Sequence, residues 1–439
     1  MNPSTQVPAV SPKVSRGTRS SVVVERCQVC GSGDLSPVLF LGYLPPVNQM
    51  PRIGERPHEQ PAYPAELLYC NQCRLAQLGL IVDPEILFPP EYPYSSGTTA
   101  LLRRNFTELY QEASSLLVLR PDDLVVDIGS NDGTLLSNFQ AGGHRVLGIE
   151  PTLQREIAQQ RGIPSVGAFF DSPTARQVRT EHGPARVITA ANVFAHIEDI
   201  HSIVEGILLL LADDGVFISE SHYFASLVET LQYDTIYHEH LRYYSVRSLS
   251  HLLAMHGLEV WHARRIPTHG GSVRVYASRQ GQQPVRESVA ALTAWEDQVI
   301  GDMASLQQFR RRVVESKIAL HALLQQVRSR GERIFAVGAP SRASTLVNYT
   351  GLDDGMIECV VEIAGSQKIG KNMPGTLIPV VDEKVLYEEQ PEYALLLSWH
   401  IADELMPKIT ARGFRGQYIV PLPQLVVVGE KVRGARGAR

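Results

Sequence analysis

The chain lacks the features that would bind it to a membrane, to nucleic acid or to an oxidising compartment. Nowhere in its 439 residues do about 18 apolar residues run together, the length that a bilayer-spanning helix needs. The longest apolar stretch, Ile207–Ala212, lies inside an amphipathic pattern and reads as core. Neither sign of charge dominates: 41 Lys+Arg stand against 46 Asp+Glu, so no general nucleic-acid-binding surface is expected. A small basic pocket for a phosphate group remains compatible with that balance. The first residues are rich in Ser, Pro, Thr and Arg without the apolar centre of a secretory signal, so a cytoplasmic protein is expected. Cysteine is scarce too, at five residues, and four of them clustered near the N-terminus without an export signal suggest metal binding rather than disulfides.

What is present points to several folded units. Hydrophobic residues make up 44% and charged residues 20%, the balance of a globular protein with sizeable cores, and 439 residues exceed one ordinary domain. We expect a disordered arm over residues 1–23, a metal-stapled N-terminal domain over 24–98 and an α/β domain over 99–284. A linking helix with a second α/β domain follows over 285–428, and a loose Gly- and Arg-rich tail over 429–439. The 24–98 stretch reads as loop-rich, because prolines from Pro45 to Pro93 rule out long helices.

From residue 99 the pattern alternates. Short apolar strands at 124–128, 146–150, 186–190 and 215–220 are separated by helical periodicity, the grammar of a doubly wound parallel sheet. Two adjacent late strands, 258–263 and 272–277, suit an antiparallel finish. A long helical pattern over 285–330 buries Leu306, Phe309, Val313, Leu320, Leu324 and Val327, with Arg310, Arg311, Arg312 and Lys317 toward water. Strands at 334–337, 358–362, 393–397 and 418–420 mark the second α/β domain, with Cys359 a small buried strand residue.

Cys27-Gln-Val-Cys30 and Cys70-Asn-Gln-Cys73 form two Cys-x-x-Cys knuckles. Two knuckles supply four thiolates, which suit a closed tetrahedral Zn2+ site with a structural role. In a segment too poor in core to fold unaided, such a metal is a reasonable staple.

Val125-Val126-Asp127-Ile128-Gly129-Ser130-Asn131-Asp132-Gly133 ends a strand and opens a helix, with Gly129 and Gly133 permitting close backbone approach to a ligand. The next strand ends in Glu150, placed to accept from the ribose hydroxyls of a nucleoside. Asn131 interrupts the full Gly-x-Gly-x-x-Gly pattern. A bulkier loop with Asp132 beside it favours S-adenosylmethionine, whose sulfonium and amino acid portion welcome carboxylates, over a dinucleotide with its pyrophosphate.

Two polar clusters follow parallel strands, where ligands bind in open α/β sheets. One is Asn192-Val-Phe-Ala-His196; the other is Tyr233-Asp-Thr-Ile-Tyr237-His238-Glu239-His240. Methylation of carbon beside a carbonyl needs a base and a partner for the enolate oxygen, and histidine and tyrosine supply those groups. His240, Tyr237, Glu239 and His196 are therefore the catalytic candidates. On spacing alone the His238–His240 segment also reads as a surface loop or a metal site, and His196 as a helix cap. Tyr92 and Tyr94 read either as a lid over the pocket or as simple packing.

Taken together, the two knuckles, DIGSNDGTLL at 127–136, YDTIYHEHLRYYS at 233–245, THGGSVRVYA at 268–277, GAPSRASTLVNY at 338–349 and PGTLIPV at 374–380 resemble the nucleotide-linked deoxysugar 3-C-methyltransferases. The resemblance runs from Cys27 to Pro423. It implies a zinc-binding domain, a central Rossmann-like S-adenosylmethionine domain, and a C-terminal Rossmann-like α/β domain that closes on a nucleotide-linked 4-keto-6-deoxy sugar. It also implies a monomer. By position it makes His240 the base, with Tyr237 and Glu239 beside it, and sets His196 and Asn192 against the sugar. Gly338 to Ser344 lies between a strand and a helix, so its backbone amides could hold a phosphate, and Arg342 there takes a position where the family often has lysine. His400 departs from the asparagine expected there, which leaves the nucleotide and sugar open. An O- or N-methyltransferase, or a non-catalytic zinc and nucleotide scaffold, are the competing functions.

Overall fold

Prolines that forbid helices do not forbid strands, and the N-terminal part is sheet rather than loop. The computed structural model describes residues 20–88 and 100–429. Strands β1 (Ser21–Val23), β2 (Leu35–Leu44), β3 (Tyr63–Cys70), β4 (Ala76–Leu78) and β5 (Leu80–Val82) fill the first part. Strand β3 carries the alternation that identifies it: Tyr63, Ala65, Leu67 and Tyr69 are buried while Pro64, Glu66 and Leu68 are less so. Pro37 sits at a register shift in the β2–β3 pairing, where a missing N–H does least harm. The loop-rich expectation is thus corrected. The arm expected through residue 23 is also too long, since Ser21–Val23 pairs antiparallel with β5.

The central sheet follows its strand–helix alternation. It contains β6 (Leu124–Ile128), β7 (Arg145–Ile149), β8 (Ser165–Val166), β9 (Ala185–Ala191) and β10 (Leu211–His222). After the short β11 (Arg242–Tyr243) come β12 (Leu258–Ile266) and β13 (Ser272–Arg279). The order is β12-β13-β10-β9-β6-β7-β8, with β13 antiparallel to both neighbours and the other pairs parallel. Chain order reverses between β6 and β9, so a crevice opens at their C-terminal ends. Strand β11 does not join this sheet: it pairs with β4 and so stitches the 233–245 segment to the N-terminal part.

The single helical pattern over 285–330 is two helices, Glu287–Val299 and Met303–Ser329. Gly301 adopts a positive φ of 57° between them, and Asp302 caps the second by accepting from Ser305 N at 3.0 Å. All six apolar residues expected on its inner face are buried. Two of the four cations do not simply face water: Arg312 donates to the carbonyls of Val228 and Glu229, and Lys317 Nζ lies 4.5 Å from the centre of the Tyr349 ring.

The C-terminal sheet is β14 (Ile334–Val337), β15 (Cys359–Glu362), β16 (Val380–Asp382), β17 (Tyr393–Leu396), β18 (Gln417–Val420) and β19 (Val426–Val428). Its order is β16-β15-β14-β17-β18-β19, parallel except for the last pair, a second Rossmann-like arrangement. Cys359 is buried in β15 as expected. No helix among the described residues is long and apolar enough to cross a membrane.

Candidate active site

The Cys-x-x-Cys turns fold so that four sulfurs converge. Cys27 and Cys73 Sγ lie 3.4 Å apart, Cys30 and Cys70 Sγ 3.5 Å apart, and the four ligand atoms all fall within 4.8 Å of one another. These separations are too long for disulfides, and the cysteines are free. Packed this closely without a cation, the thiols compete for protons: the hydrogen bond to Cys70 and burial push Cys27 up to about 12. A divalent soft-acid ion resolves the conflict, and four thiolates with no open position fit structural Zn2+.

At the first crevice, Gly129 has a positive φ of 68°, and an added Cβ there would meet Val193 Cγ2 at 2.6 Å. Asn131 is also left-handed, at φ 50°, and its N–H donates to Glu150 Oε2 at 2.9 Å. Glu150 Oε1 accepts from Thr152 N at 2.9 Å, so the carboxylate is held rigidly at the end of β7. Each oxygen keeps a further lone pair for a ribose hydroxyl. Asp127, 3% exposed, accepts from Thr189 Oγ1 at 2.6 Å. Burial, aided by Glu150 and Glu220, pushes its carboxyl up to about 7. Gly133 starts the following helix at φ 75°. Asp132 accepts from Thr134 and pairs with Arg161 at 3.3 Å, so its carboxylate is engaged at the start of the helix.

The Tyr237–His240 segment splits three ways. His238 turns to the N-terminal sheet, 3.3 Å from Pro64 O and edge-on to Tyr63. Glu239 accepts from Asn48 Nδ2 at 2.7 Å. His240 alone points to the middle, with ring centres 4.2 Å from Tyr237, 5.0 Å from His196 and 4.7 Å from His222. His240 Nδ1 lies 2.9 Å from Thr235 O, an atom that can only accept. The Nδ1 therefore carries the proton and Nε2 keeps the lone pair. Burial first, then neighbouring His196, holds His240 well below its ordinary pKa. His196 is lowered by burial to about 4, and its Nδ1 has no hydrogen-bond partner among the described residues. Asn192, at φ 59°, likewise has a buried Oδ1 with no hydrogen-bond partner among the described residues.

Three contributors escaped the sequence. Arg242, 1% exposed, donates to the carbonyls of Phe194, Ile197 and Glu198, locking the His196 turn to the His240 segment. His222 ends β10, and His269 stacks on it at 5.4 Å in a left-handed conformation of φ 56°. Only the Gly270-Gly271 pair after His269 hinted at such a corner.

The C-terminal loop corrects an expectation. Arg342 is not open to a phosphate: Nη2 and Nε donate to Asp234 at 2.6 and 2.8 Å, and the guanidinium lies over the Trp399 ring. A fork-shaped cation meeting a buried carboxylate has little capacity left. Gly338 turns at φ 83° with its N–H bonded to Val361 O at 2.9 Å. Ala339 N donates to Glu362 Oε2 at 2.7 Å, so β15 ends in a carboxylate on a loop amide just as β7 does. His400 is lowered to about 2 by burial and by Arg342, and its Nδ1 is unpartnered. Tyr92 and Tyr94 lie outside the described residues.

Comparison with known proteins agrees with this layout. Residues 27–88 match a zinc binding domain model, 100–263 a methyltransferase domain, and 267–423 a C-methyltransferase C-terminal domain. The chain is 31% identical over 411 residues to C-methyltransferase NovU of Streptomyces niveus, across 92% of this chain and 97% of that protein. Solved structures with some likeness include magnesium protoporphyrin IX methyltransferase from Synechocystis PCC 6803 with bound SAM, 15% identical, covering 40% of this chain and 79% of that one at a TM-score of 0.32. The CcbJ methyltransferase from Streptomyces caelestis is 14% identical, covering 40% and 89% at a TM-score of 0.32. Those two likenesses are too slight to carry an argument. The near full-length match to NovU and the three domain models together place the chain in the S-adenosylmethionine-dependent C-methyltransferase family.

Proposed function

We propose that this enzyme methylates carbon 3 of a nucleoside-diphosphate-linked 4-keto-6-deoxy sugar, with His240 as the base. The fixed tautomer of His240 carries this reading. Its Nδ1–H is spent on Thr235 O, so the only lone pair lies on Nε2. Tyr243 OH donates to the same carbonyl at 3.0 Å, which keeps that acceptor in place. The lowered pKa keeps the ring neutral near pH 7, so the Nε2 lone pair is not taken by a solvent proton. The proton on a carbon beside a ketone is acidic enough for such a base, because its electrons pass to the carbonyl oxygen. A methyltransferase acting on oxygen or nitrogen would not need a base able to make an enolate, and exchange at carbon 3 separates the two.

Bound S-adenosylmethionine supplies the electrophilic methyl group. Asp127, Gly129, Asn131, Gly133 and Glu150 would hold it: Glu150 at the ribose, and the glycine turns through close backbone approach. Asn192 and His196, with unpartnered polar atoms, would contact the sugar, while Tyr237 lies against the base. Glu239, held by Asn48, would orient the sugar's edge from the N-terminal side. The sugar class rests on the motif resemblance. Gly338 remains the candidate for close approach by the nucleotide's phosphates, and Arg342 is better cast as the residue that anchors Asp234.

The test is mass spectrometry of products from a panel of nucleotide-linked 4-keto sugars with S-adenosylmethionine. A product heavier by one methyl, with solvent deuterium entering carbon 3, is expected. A methyl on oxygen with no exchange at carbon 3 would reject the proposal.

A further inference from the structure

We propose that His222 is a second catalytic imidazole, the hydrogen-bond donor to the oxygen that becomes an enolate when His240 takes the carbon 3 proton. This rests on the proposed carbon methylation. His222 is the last residue of β10, at the carboxyl end of a strand next to the topological switch, where ligands enter such sheets. Among the described residues no hydrogen bond reaches either of its ring nitrogens, and the half-buried ring keeps them for a ligand. Its ring centre lies 4.7 Å from that of His240, tilted by 46°, so the two rings stand side by side at one wall.

That spacing fits the substrate atoms. A carbon and the oxygen of its neighbouring carbonyl are about 2.4 Å apart, from bonds of about 1.5 and 1.2 Å. A base on the carbon and a donor on the oxygen must therefore be adjacent groups, as these are. The His222 ring is also stacked on His269, at 5.4 Å and 30°. An added Cβ at Gly270 would strike Gln232 Oε1 at 2.3 Å, so the corner that carries His269 is built around glycine. The ionisable groups that act on His222 are His240, His269, Arg342 and His196, none of which is an anion. Asp234 is bound to Arg342, and Glu239 to Asn48. His222 is consequently held neutral, and a neutral imidazole donates one N–H to a developing oxyanion.

The step balances. The carbon 3 proton passes to His240 Nε2 while the C–H pair forms a carbon–carbon double bond. The carbonyl π pair moves to oxygen, which accepts from His222. That pair then returns as carbon 3 bonds to the methyl group, and the methyl–sulfur pair leaves with sulfur. His222 transfers no proton.

The experiment compares wild-type enzyme with His222→Leu and His222→Gln on thymidine-diphosphate-linked 4-keto-6-deoxyglucose. Deuterium entry at carbon 3 is followed without methyl donor, and methyl transfer in single turnovers. His222→Leu should slow both about 10²–10³-fold with KM and S-adenosylmethionine affinity nearly constant, and His222→Gln, which keeps an N–H donor, should recover at least about tenfold. Exchange by His222→Leu within about threefold of wild type overturns the assignment, as does a folded His222→Gln that is no better than His222→Leu. Absence of carbon 3 exchange in the wild-type enzyme overturns the methylation proposal as well, and so separates the two failures.

Discussion

Arg342 grips Asp234 through two parallel hydrogen bonds, Nη2 to Oδ1 at 2.6 Å and Nε to Oδ2 at 2.8 Å. The carboxylate also accepts from Trp399 Nε1 at 2.7 Å, and both charged side chains are withdrawn from solvent. The pair joins the C-terminal helix Ser341–Thr350 to the turn that leads into Tyr237 and His240. Removing one partner of a buried pair leaves the other charge stranded, at a cost of about 3–5 kcal/mol. Arg342→Ala should lower the denaturation midpoint accordingly, and Arg342→Lys should recover only part, since an ammonium cannot match the fork. Urea denaturation of the three proteins measures this. Equal midpoints would mean that the pair is not holding the two parts together.

Much of this architecture was legible because period-two and period-3.6 patterns are local. Strand 334–337 and the buried face from Leu306 to Val327 could be read residue by residue. The N-terminal sheet could not, because its prolines obscured an alternation that only cross-strand pairing makes plain. The same distinction governs the site. The cysteine knuckles and the glycine turn at 129 announce themselves by spacing. Arg342 looked like a phosphate ligand because charge is visible in a sequence and its partner, Asp234, 108 positions away, is not. His222 carried no motif at all, and its place beside His240 arises from the crossing of β10 with a segment that pairs elsewhere, with β4.

Asp127 predicts a pH dependence for the cofactor. Burial raises its carboxyl to about 7 in the cofactor-free protein, so it is largely neutral at pH 6. A cationic sulfonium favours the ionised form, and binding must then release a proton at low pH. S-adenosylmethionine affinity should rise with pH, about tenfold per unit, up to about 7 and then level off. Stability of the cofactor-free protein runs the other way: the folded pKa exceeds the unfolded value, so this group's contribution falls between about pH 4 and 7. Asp127→Asn should flatten both profiles. Titration calorimetry from pH 6 to 8 checks it, and a flat wild-type profile would remove Asp127 from the cofactor site.

Metal removal should reach the active site. The four-thiolate cluster holds together the sheet to which β11 is paired, and His238 and Glu239 contact Pro64 and Asn48 in the same part. Zinc binding of this kind contributes on the order of 10 kcal/mol to folding. Cys70→Ser should lower zinc from about one ion per chain and depress turnover together with it. Elemental analysis alongside single-turnover rates tests this. A zinc-free protein of full activity would show that the N-terminal sheet stands without its metal.

His240→Ala bears on the chemistry alone. Its ring touches Tyr237, His196 and His222 but, among the described residues, makes no hydrogen bond beyond that to Thr235 O, so its removal opens a small polar cavity and leaves the Glu150 crevice intact. Loss of a positioned general base costs about 10²–10⁴-fold in rate. His240→Ala should therefore lose carbon 3 deuterium exchange and methyl transfer by the same factor while S-adenosylmethionine affinity stays within about threefold. Parallel loss is the informative feature: a residue that merely shaped the cofactor site would spare exchange measured without the donor. Rapid exchange in His240→Ala would move the base elsewhere, and His196, with an unpartnered Nδ1 5.0 Å ring to ring from the vacated position, would be the next group to replace.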